Sequence, residues 1–218
     1  MEDIFSEAPD RWDRIKFKYL GDFVGGGTPS KSENRYWNGD IPWVSPKDMK
    51  AYDINDTIDH LTQEGFEEGS CKLIEQGALL MVYRSGILDH TLPVAVNRVP
   101  VTLNQDMKGF IPDESLINVH YLTYLFRGHE SRLLTLWSKE GTTVQSLESD
   151  SVENTKLPVP PLEEQKSIVS HLNDRTGSID QLIATARELI DWLQEKRRSL
   201  IVRGSTLGFE DSTVQDLE

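Results

Sequence analysis

Residues 25–49 are the part of the chain whose residue types most strongly suggest chemistry. They include three consecutive glycines, a Thr-Pro-Ser sequence, two tryptophans and an Asn-Gly pair. Together with Phe23, the glycines fit the F-x-G-x-G pattern of S-adenosylmethionine sites, in which a helix must follow directly so that its N–H groups meet the ligand. Turn formers follow instead, at Thr28, Pro29 and Ser30. The segment therefore predicts an ordered, turn-rich loop between short strands, with no cofactor.

Polar and basic side chains of three separate segments have the hydrogen-bonding groups that contact DNA. Hydroxyl, lysine and arginine side chains donate to phosphates or base edges, and arginine reads guanine bidentately in the major groove. The side chains of Asn104, Gln105 and Asp106 have the hydrogen-bonding groups for adenine or cytosine readout, although a structural role for their segment is equally compatible with the sequence. Trp37 and Trp43 are interpreted as core residues that hold the loop. The candidate DNA-binding residues are Thr28, Ser30, Lys31, Arg35, Lys47, Arg84, Ser85, Asn104, Gln105 and Lys108.

A nuclease is a weaker alternative suggested by the E-x-K form of Glu164-Gln165-Lys166, with Asp113 as an upstream carboxylate. Nuclease chemistry needs carboxylates and a lysine that converge on a metal ion. Glu164, however, is predicted in the first turn of a helix, where a carboxylate is favoured by the helix dipole in any case. The five histidines show no metal-ligand spacing, so no metal site and no catalytic residue are expected.

Three blocks of the sequence carry a family resemblance. They are GGTPS…YW.GDIPWV.PKDM within residues 25–49, VTLNQDMKGFIP at 101–112 and LPVPPLEEQKSIVSHLN at 157–173. In this order they resemble the specificity subunit of type I restriction-modification enzymes, over most of the span from Trp12 to Gly208. The resemblance implies a non-catalytic reader of double-stranded DNA that positions separate methyltransferase and restriction subunits. It also implies an α+β target-recognition domain followed by a conserved long helix.

The pattern of the first 156 residues favours such an α+β domain. Apolar runs bounded by turn residues predict strands over 77–88 and 92–103, and residues 14–24 fit a strand or a short helix-strand pair. Apolar residues at helical spacing over 117–137 predict two short helices, broken near Gly128.

A long helix is predicted to begin at about Pro161, because proline suits the first turn of a helix. From there to Gly204 is roughly 44 residues, or roughly 66 Å of helix. Apolar residues recur every seven positions, with interruptions at Arg175 and Lys196, and nothing else in the chain would cover so long a stripe. A coiled coil with a partner helix is therefore predicted, through the seam residues Leu172, Ile179, Leu182, Ala186, Leu189, Leu193 and Leu200.

The predicted domains are a recognition domain at 1–156, a helical region at 157–208 and a flexible acidic tail at 209–218. The resemblance implies two recognition domains and two antiparallel long helices in a full-length subunit, whereas this sequence contains one of each. It is thus predicted to be either a naturally half-length subunit or the N-terminal half of a longer one. Two copies paired through their helices would form a homodimer that reads two half-sites separated by an unread spacer.

The composition sets limits on these interpretations. The net charge is −13, whereas a protein that binds phosphates usually has a basic surface. Weak DNA binding without a partner subunit is therefore expected. The same acidity supports a second alternative, a coiled-coil adaptor that binds protein and not DNA. A single cysteine, Cys71, excludes an internal disulfide. No run of 18 apolar residues and no signal-like N-terminus are found, so a cytoplasmic protein without membrane contact is predicted.

Overall fold

A computed structural model describes residues 4–139, 141 and 143–207 of the chain. It divides into two compact units, Met1–Val169 and Ser170–Glu218. The strands of the first unit are β1 (Asp13–Lys16), β2 (Gly21–Gly25), β3 (Trp37–Val44), β4 (Asp53–Ile54), β5 (Asp59–Leu61), β6 (Leu79–Val82), β7 (Val94–Asn97), β8 (Thr102–Leu103), β9 (Met107–Pro112) and β10 (Lys156–Val159). The α-helices are α1 (Gln63–Glu68), α2 (Val119–Gly128), α3 (Glu130–Trp137), α4 (Ser149–Asn154) and α5 (Leu162–Leu207).

The strands form three sheets. The largest has the order β2-β9-β6-β7-β4, a second has the order β5-β3-β8, and β1 pairs with β10. Every residue of β6 and β7 is buried, so both faces of the five-stranded sheet are covered along these two strands. The predicted α+β architecture is confirmed, and so is the long C-terminal helix.

Aromatic side chains build the core between the large sheet and the helices. The Phe17 ring lies 4.3 Å from that of Phe110 on β9 and 5.2 Å from that of Phe126 on α2. Phe126 in turn packs edge-on against Trp137 of α3, with the centroids 5.2 Å apart. All four rings are fully buried, and burial of each such side chain stabilises the fold by about 1.5–3 kcal/mol.

The predicted helix pair and the start of the long helix agree with the structure. Helices α2 and α3 are separated at His129, next to the expected break at Gly128. Helix α5 begins at Leu162, directly after Pro161. Its start is fixed by Gln165, whose buried amide nitrogen donates to the Leu116 and Pro160 carbonyls at 3.0 and 2.8 Å, while its Oε1 accepts from the Asn118 N–H at 2.7 Å.

The strand predictions were only partly right. The run at 77–88 is a strand only over β6 and then turns into a 3-10 helix at Gly86–Asp89, while residues 92–103 contain two short strands, β7 and β8. The predicted loop at 25–49 contains β3, which with eight residues is a long strand. Its Asn-Gly pair does not make a hairpin turn. Asn38 has a φ of +64°, and the pairing of β3 with β5 shifts register between Trp37 and Ile41, so the pair forms an irregularity within the strand.

The division of the chain lies later than the sequence-based boundary after residue 156. Strand β10 pairs with β1, and Val169 is still part of the core, so the first turns of α5 belong to the first compact unit. The predicted tail at 209–218 lies outside the described residues. Within the described part of the chain, none of the helices combines the length and the apolar character needed to cross a membrane.

Candidate nucleic-acid interface

Three segments with predicted DNA-binding residues meet at one end of the five-stranded sheet. Strands β2 and β6 each run antiparallel to β9, with Gly25 opposite Lys108 and Val82 opposite Met107. The residues that follow β2 and β6 therefore flank the turn that leads into β9. We call residues 26–30, 83–85 and 104–106 the convergent edge.

Glycine is required where the first of these segments crosses the third. The Gly27 N–H donates to the Leu103 carbonyl at 2.8 Å. A Cβ atom on Gly26 would lie 2.0 Å from the Asn104 carbonyl oxygen, a distance that no side chain tolerates. The Thr28 hydroxyl donates to the Gln105 side-chain oxygen. The glycines of the opening block thus serve backbone packing, and the first α-helix after them within the described residues begins only at Gln63.

Two tryptophans hold the loop of the opening block. Trp43 is buried, and its indole N–H donates to the Gly27 carbonyl at 3.0 Å. The indole N–H of the partly exposed Trp37 donates to the Ser30 carbonyl at 3.1 Å, and the two rings pack edge-on with centroids 5.1 Å apart. Both tryptophans support the loop as predicted, but only Trp43 is a core residue; the prediction of a core position for Trp37 was wrong, because its ring lies at the partly exposed surface of the loop.

The turn at 104–106 separates a structural residue from an exposed one. Asn104 is buried; its N–H donates to the Val44 carbonyl at 2.9 Å, and its Oδ1 accepts from the Asp106 N–H at 2.6 Å. Gln105, by contrast, is exposed. Of the two amide side chains predicted to read bases in this block, that of Asn104 therefore shapes the turn, and that of Gln105 is exposed to solvent.

Arg84 and Asp106 form an ion pair on the convergent edge. The Arg84 Nε–H donates to Asp106 Oδ1 at 2.8 Å. The backbone joins the same two segments, because the Tyr83 and Arg84 N–H groups donate to the Asp106 carbonyl at 2.8 and 3.1 Å. The Arg84 side chain is 60% exposed and that of Asp106 is 22% exposed, so the arginine presents its outer end to solvent.

A further segment of this edge was missed by the sequence analysis. The Ser85 N–H donates to the Gln145 carbonyl at 3.0 Å, and the Leu147 N–H donates to the Tyr83 carbonyl at 2.8 Å. The short run Val144 to Leu147 between turn residues is the weak signal that could have indicated an extended segment. Ser85 itself caps the following 3-10 helix, since its Oγ accepts from the Ile87 N–H at 3.3 Å.

Lys108 has intramolecular partners behind the convergent edge. Its ammonium group donates to the Ser149 hydroxyl at 2.9 Å, lies 3.5 Å from the Glu153 carboxylate and stands 4.4 Å from the centre of the Tyr83 ring. Burial, and secondarily the charge of Glu153, raise the pKa of the Tyr83 phenol. This lysine therefore supports Tyr83, the residue before Arg84 in the segment that follows β6, which weakens the hypothesis that it contacts phosphate.

The remaining candidates are distributed over the opening block. Arg35 is paired with Glu64 at 2.9 Å and Glu33 at 3.3 Å, and the Glu64 carboxylate is the largest of the charges that raise the pKa of the guanidinium group. Lys31 and Lys47 are exposed and make no ion pair with another described residue. The Ser30 hydroxyl is 2.8 Å from that of Ser32.

The residues behind the nuclease alternative do not form a site. A carboxylate oxygen of Glu164 lies 2.5 Å from the Arg11 guanidinium group, and the Lys166 ammonium group lies 2.7 Å from the Glu163 carboxylate. Asp113 accepts from the backbone and hydroxyl of Ser115 at 2.9 and 2.6 Å, and these hydrogen bonds lower the pKa of its carboxyl group. Among the described residues, no group of three or more His, Cys, Asp or Glu is placed to hold a metal ion.

Comparison with protein families matches residues 9–190 to the type I restriction modification DNA specificity domain. This match covers well over half of the chain. The chain belongs to that family. The resemblance inferred from the three sequence blocks is thereby confirmed, and all three blocks lie inside the matched residues.

The specificity-family chain also matches individual relatives. It is 38% identical over 201 residues to the EcoR124I/EcoR124II specificity subunit of Escherichia coli, covering 90% of this chain and 49% of that one. It is 31% identical over 173 residues to the MjaIX specificity subunit of Methanocaldococcus jannaschii, covering 77% of this chain and 38% of that one. The chain thus spans about half the length of these relatives or less.

Solved structures support the fold of the specificity-family chain. A chain from a study of complex assembly and conformational transition of the type I R-M system matches with a TM-score of 0.74 over 93% of this chain and 47% of its own length, at 17% identity. The HsdS subunit from Thermoanaerobacter tengcongensis matches with a TM-score of 0.60 over 80% of this chain and 40% of its own, at 18% identity. At such low identity the likeness concerns the fold alone.

The long helix of the specificity-family chain presents its predicted seam to solvent. Among the described residues after Val169, no side chain is buried. Five seam residues are large and about half exposed or more: Ile179, Leu182, Leu189, Leu193 and Leu200. The helix is continuous from Leu162 to Leu207, and the coiled coil itself stays a prediction.

Proposed function

We propose that this chain is the sequence-reading part of a type I restriction-modification complex and that it binds double-stranded DNA through the convergent edge. The observation that carries the proposal is the meeting of Thr28, Arg84 and Gln105 at one end of the large sheet. Side chains from segments far apart in sequence are held there on rigid strand ends, which is how a scaffold presents contacts to base edges. Membership of the specificity family supports the same conclusion.

The proposed partners are separate methyltransferase and restriction subunits, which would carry out the chemistry. The chain itself is proposed to be non-catalytic, because the carboxylates and the lysine of its E-x-K segment are engaged with neighbouring side chains. We propose a cytoplasmic location as well, because the relatives above come from a bacterium and an archaeon, in which DNA lies in the cytoplasm.

DNA binding is proposed to depend on the methyltransferase subunit. The net charge of −13 opposes binding to phosphates. The predicted basic residues offset this negative charge only weakly, because a carboxylate lies close to each of Arg35, Arg84 and Lys108. Lys31 and Lys47 are the exposed candidates that make no such pair within the described residues.

The long helix is proposed to pair with the same helix of a second copy. The large apolar side chains at heptad spacing from Ile179 to Leu200 are exposed in one chain, and they gain stability when a partner helix covers them. A two-fold dimer would hold two convergent edges apart, so the expected target is two short half-sites in inverted orientation with an unread spacer.

Methylation mapping tests the function. DNA from a host that carries this chain with its cognate methyltransferase subunit should be methylated at one bipartite sequence, and omission of the chain should abolish that pattern. In parallel, duplex DNA is titrated with the chain alone and with the complex. A coiled-coil adaptor, which the acidity of the chain favours, would show no sequence preference in either titration and would overturn the proposal.

A further inference from the structure

We propose that Asp106 is a positioning residue that fixes Arg84 as a guanine reader, so that each half-site contains a guanine read in the major groove. This inference rests on the proposed DNA-reading function and names the base that one part of the convergent edge recognises. Three observations support it. Within the residues that the structure describes, the ion pair leaves two nitrogens of Arg84 unoccupied, the backbone of the turn does not need the Asp106 side chain, and the two charges of the pair cancel.

The ion pair leaves the outer end of the arginine available. Asp106 Oδ1 accepts from Nε of Arg84, and among the described residues the two terminal nitrogens, Nη1 and Nη2, have no hydrogen-bond partner. Two parallel N–H donors in a fixed plane match the O6 and N7 acceptors of guanine. Because the carboxylate occupies Nε, the arginine can read guanine only with its terminal pair of nitrogens. The carboxylate also holds the plane of the guanidinium group before DNA arrives, which reduces the entropy lost on binding.

The backbone of the turn does not depend on the Asp106 side chain. The Asp106 N–H donates to Asn104 Oδ1 at 2.6 Å, and its carbonyl accepts from the Tyr83 and Arg84 N–H groups at 2.8 and 3.1 Å. Among the described residues, the hydrogen-bond partner of the carboxylate is Arg84. Replacing the carboxylate therefore changes the orientation of Arg84 and the net charge at this site, while the turn keeps its backbone bonds.

The charge of the pair distinguishes base reading from phosphate binding. With Asp106 2.8 Å from Nε, the arginine and its partner together carry no net charge, so the pair adds little to attraction for the phosphate backbone. An arginine that binds phosphate would bind it more tightly without a carboxylate beside it. Removal of the carboxylate should consequently have two opposite effects, a gain in affinity for unrelated DNA and a loss of base discrimination.

The test compares three variants in complex with the cognate methyltransferase subunit. At each position of the mapped target in turn, duplexes with each of the four bases are prepared. The rate at which each complex methylates every duplex is measured. In Asp106→Ala, discrimination at one guanine position should fall roughly 5- to 150-fold, the range of one bidentate contact, while binding to unrelated duplex becomes tighter. Asp106→Asn keeps an oxygen acceptor for Nε, so it should retain most of the discrimination and show the same gain in binding to unrelated duplex. Arg84→Lys keeps the positive charge but not the planar fork, and it should lose the discrimination.

The outcomes separate this inference from the function on which it rests. If the wild-type complex shows no sequence preference, the proposed function fails. If the wild-type complex is specific but either Asp106→Ala or Arg84→Lys keeps the same preference at every position, the inference alone is overturned. A uniform loss of activity at all positions with an unchanged guanine preference likewise overturns it. Unchanged thermal unfolding of each variant ensures that discrimination is compared between folded proteins.

Discussion

The two compact units of this chain use apolar side chains in opposite ways. In the first unit, Phe17, Phe110, Phe126 and Trp137 are fully buried, and strands β6 and β7 of the large sheet are covered on both faces. In the helix the large apolar residues from Ile179 to Val202 are exposed, up to 70% for Leu182. Burial of apolar surface is the main source of stability, so the first unit contains its own, whereas the helix would gain it from the partner helix proposed above.

The same contrast separates the two roles proposed for the chain. The first unit provides a rigid support for the convergent edge, and the helix provides a surface for assembly. Substitutions in the first unit should change folding or DNA recognition, and those in the helix should change association. Four predictions test this division, in order of decreasing expected effect.

Phe110→Ala should have the largest effect on folding. Its ring is fully buried 4.3 Å from Phe17 and 5.1 Å from Phe23, so its loss leaves a cavity that costs about 3–5 kcal/mol in the free energy of unfolding. Urea denaturation followed by circular dichroism measures this. Trp192→Ala in the helix, outside the predicted seam and about half exposed, serves as the control and should change the value by less than about 0.5 kcal/mol. Equal losses in both variants would contradict the division.

Leu182→Asp should disrupt association and leave the first unit folded. A charge placed in a buried helix seam costs several kcal/mol, so the dimer dissociation constant should rise more than ~100-fold. Gln181→Asp introduces the same charge one residue away, outside the predicted seam, and should leave the dimer intact. Analytical ultracentrifugation compares the three proteins. A wild-type chain that sediments as a monomer at micromolar concentration would remove the dimer from the proposal.

Gly26→Ala should damage the convergent edge. The new Cβ would lie 2.0 Å from the Asn104 carbonyl oxygen, so the opening block must move away from the turn, at a cost of about 1–3 kcal/mol. Gly25→Ala is the matched control, because its Cβ would meet nothing within 4 Å. Thermal unfolding and methylation by the reconstituted complex should both be impaired in the first variant only. Equal behaviour of the two variants would show that the crossing of these segments is unimportant.

The smallest expected effect concerns pH and His120. Burial, followed by the charge of Arg98, lowers the pKa of this imidazole in the folded state, against a smaller opposite effect of Asp53. The unfolded chain therefore takes up this proton more readily, and the free energy of unfolding should decrease as the pH falls below about 6.5. His120→Gln should flatten that decrease when urea denaturation is compared at pH 7 and pH 5.5. His171→Gln in the second unit controls for the loss of one histidine, and identical slopes in all three proteins would contradict the assignment.

Local sequence patterns predicted much of the architecture and a part of the site. The heptad spacing and Pro161 located the long helix, and the break near Gly128 located α2 and α3, because helical periodicity and proline geometry are properties of neighbouring residues. Strand lengths were less predictable. Asn38 and Gly39 resemble a hairpin turn in sequence, and only the pairing of β3 with β5 makes them an irregularity within a strand.

The sequence by itself determined the family of this chain, the order of its three blocks and the apolar stripe of its long helix. The tertiary structure decided which candidate residues meet and which of them remain exposed. It buries Asn104, leaves Gln105 exposed and pairs Arg84 with Asp106. The physical reason is that these outcomes depend on hydrogen bonds between segments far apart in the chain, such as those from Gly27 to Leu103 and from Arg84 to Asp106, and such contacts exist only once the strands have paired.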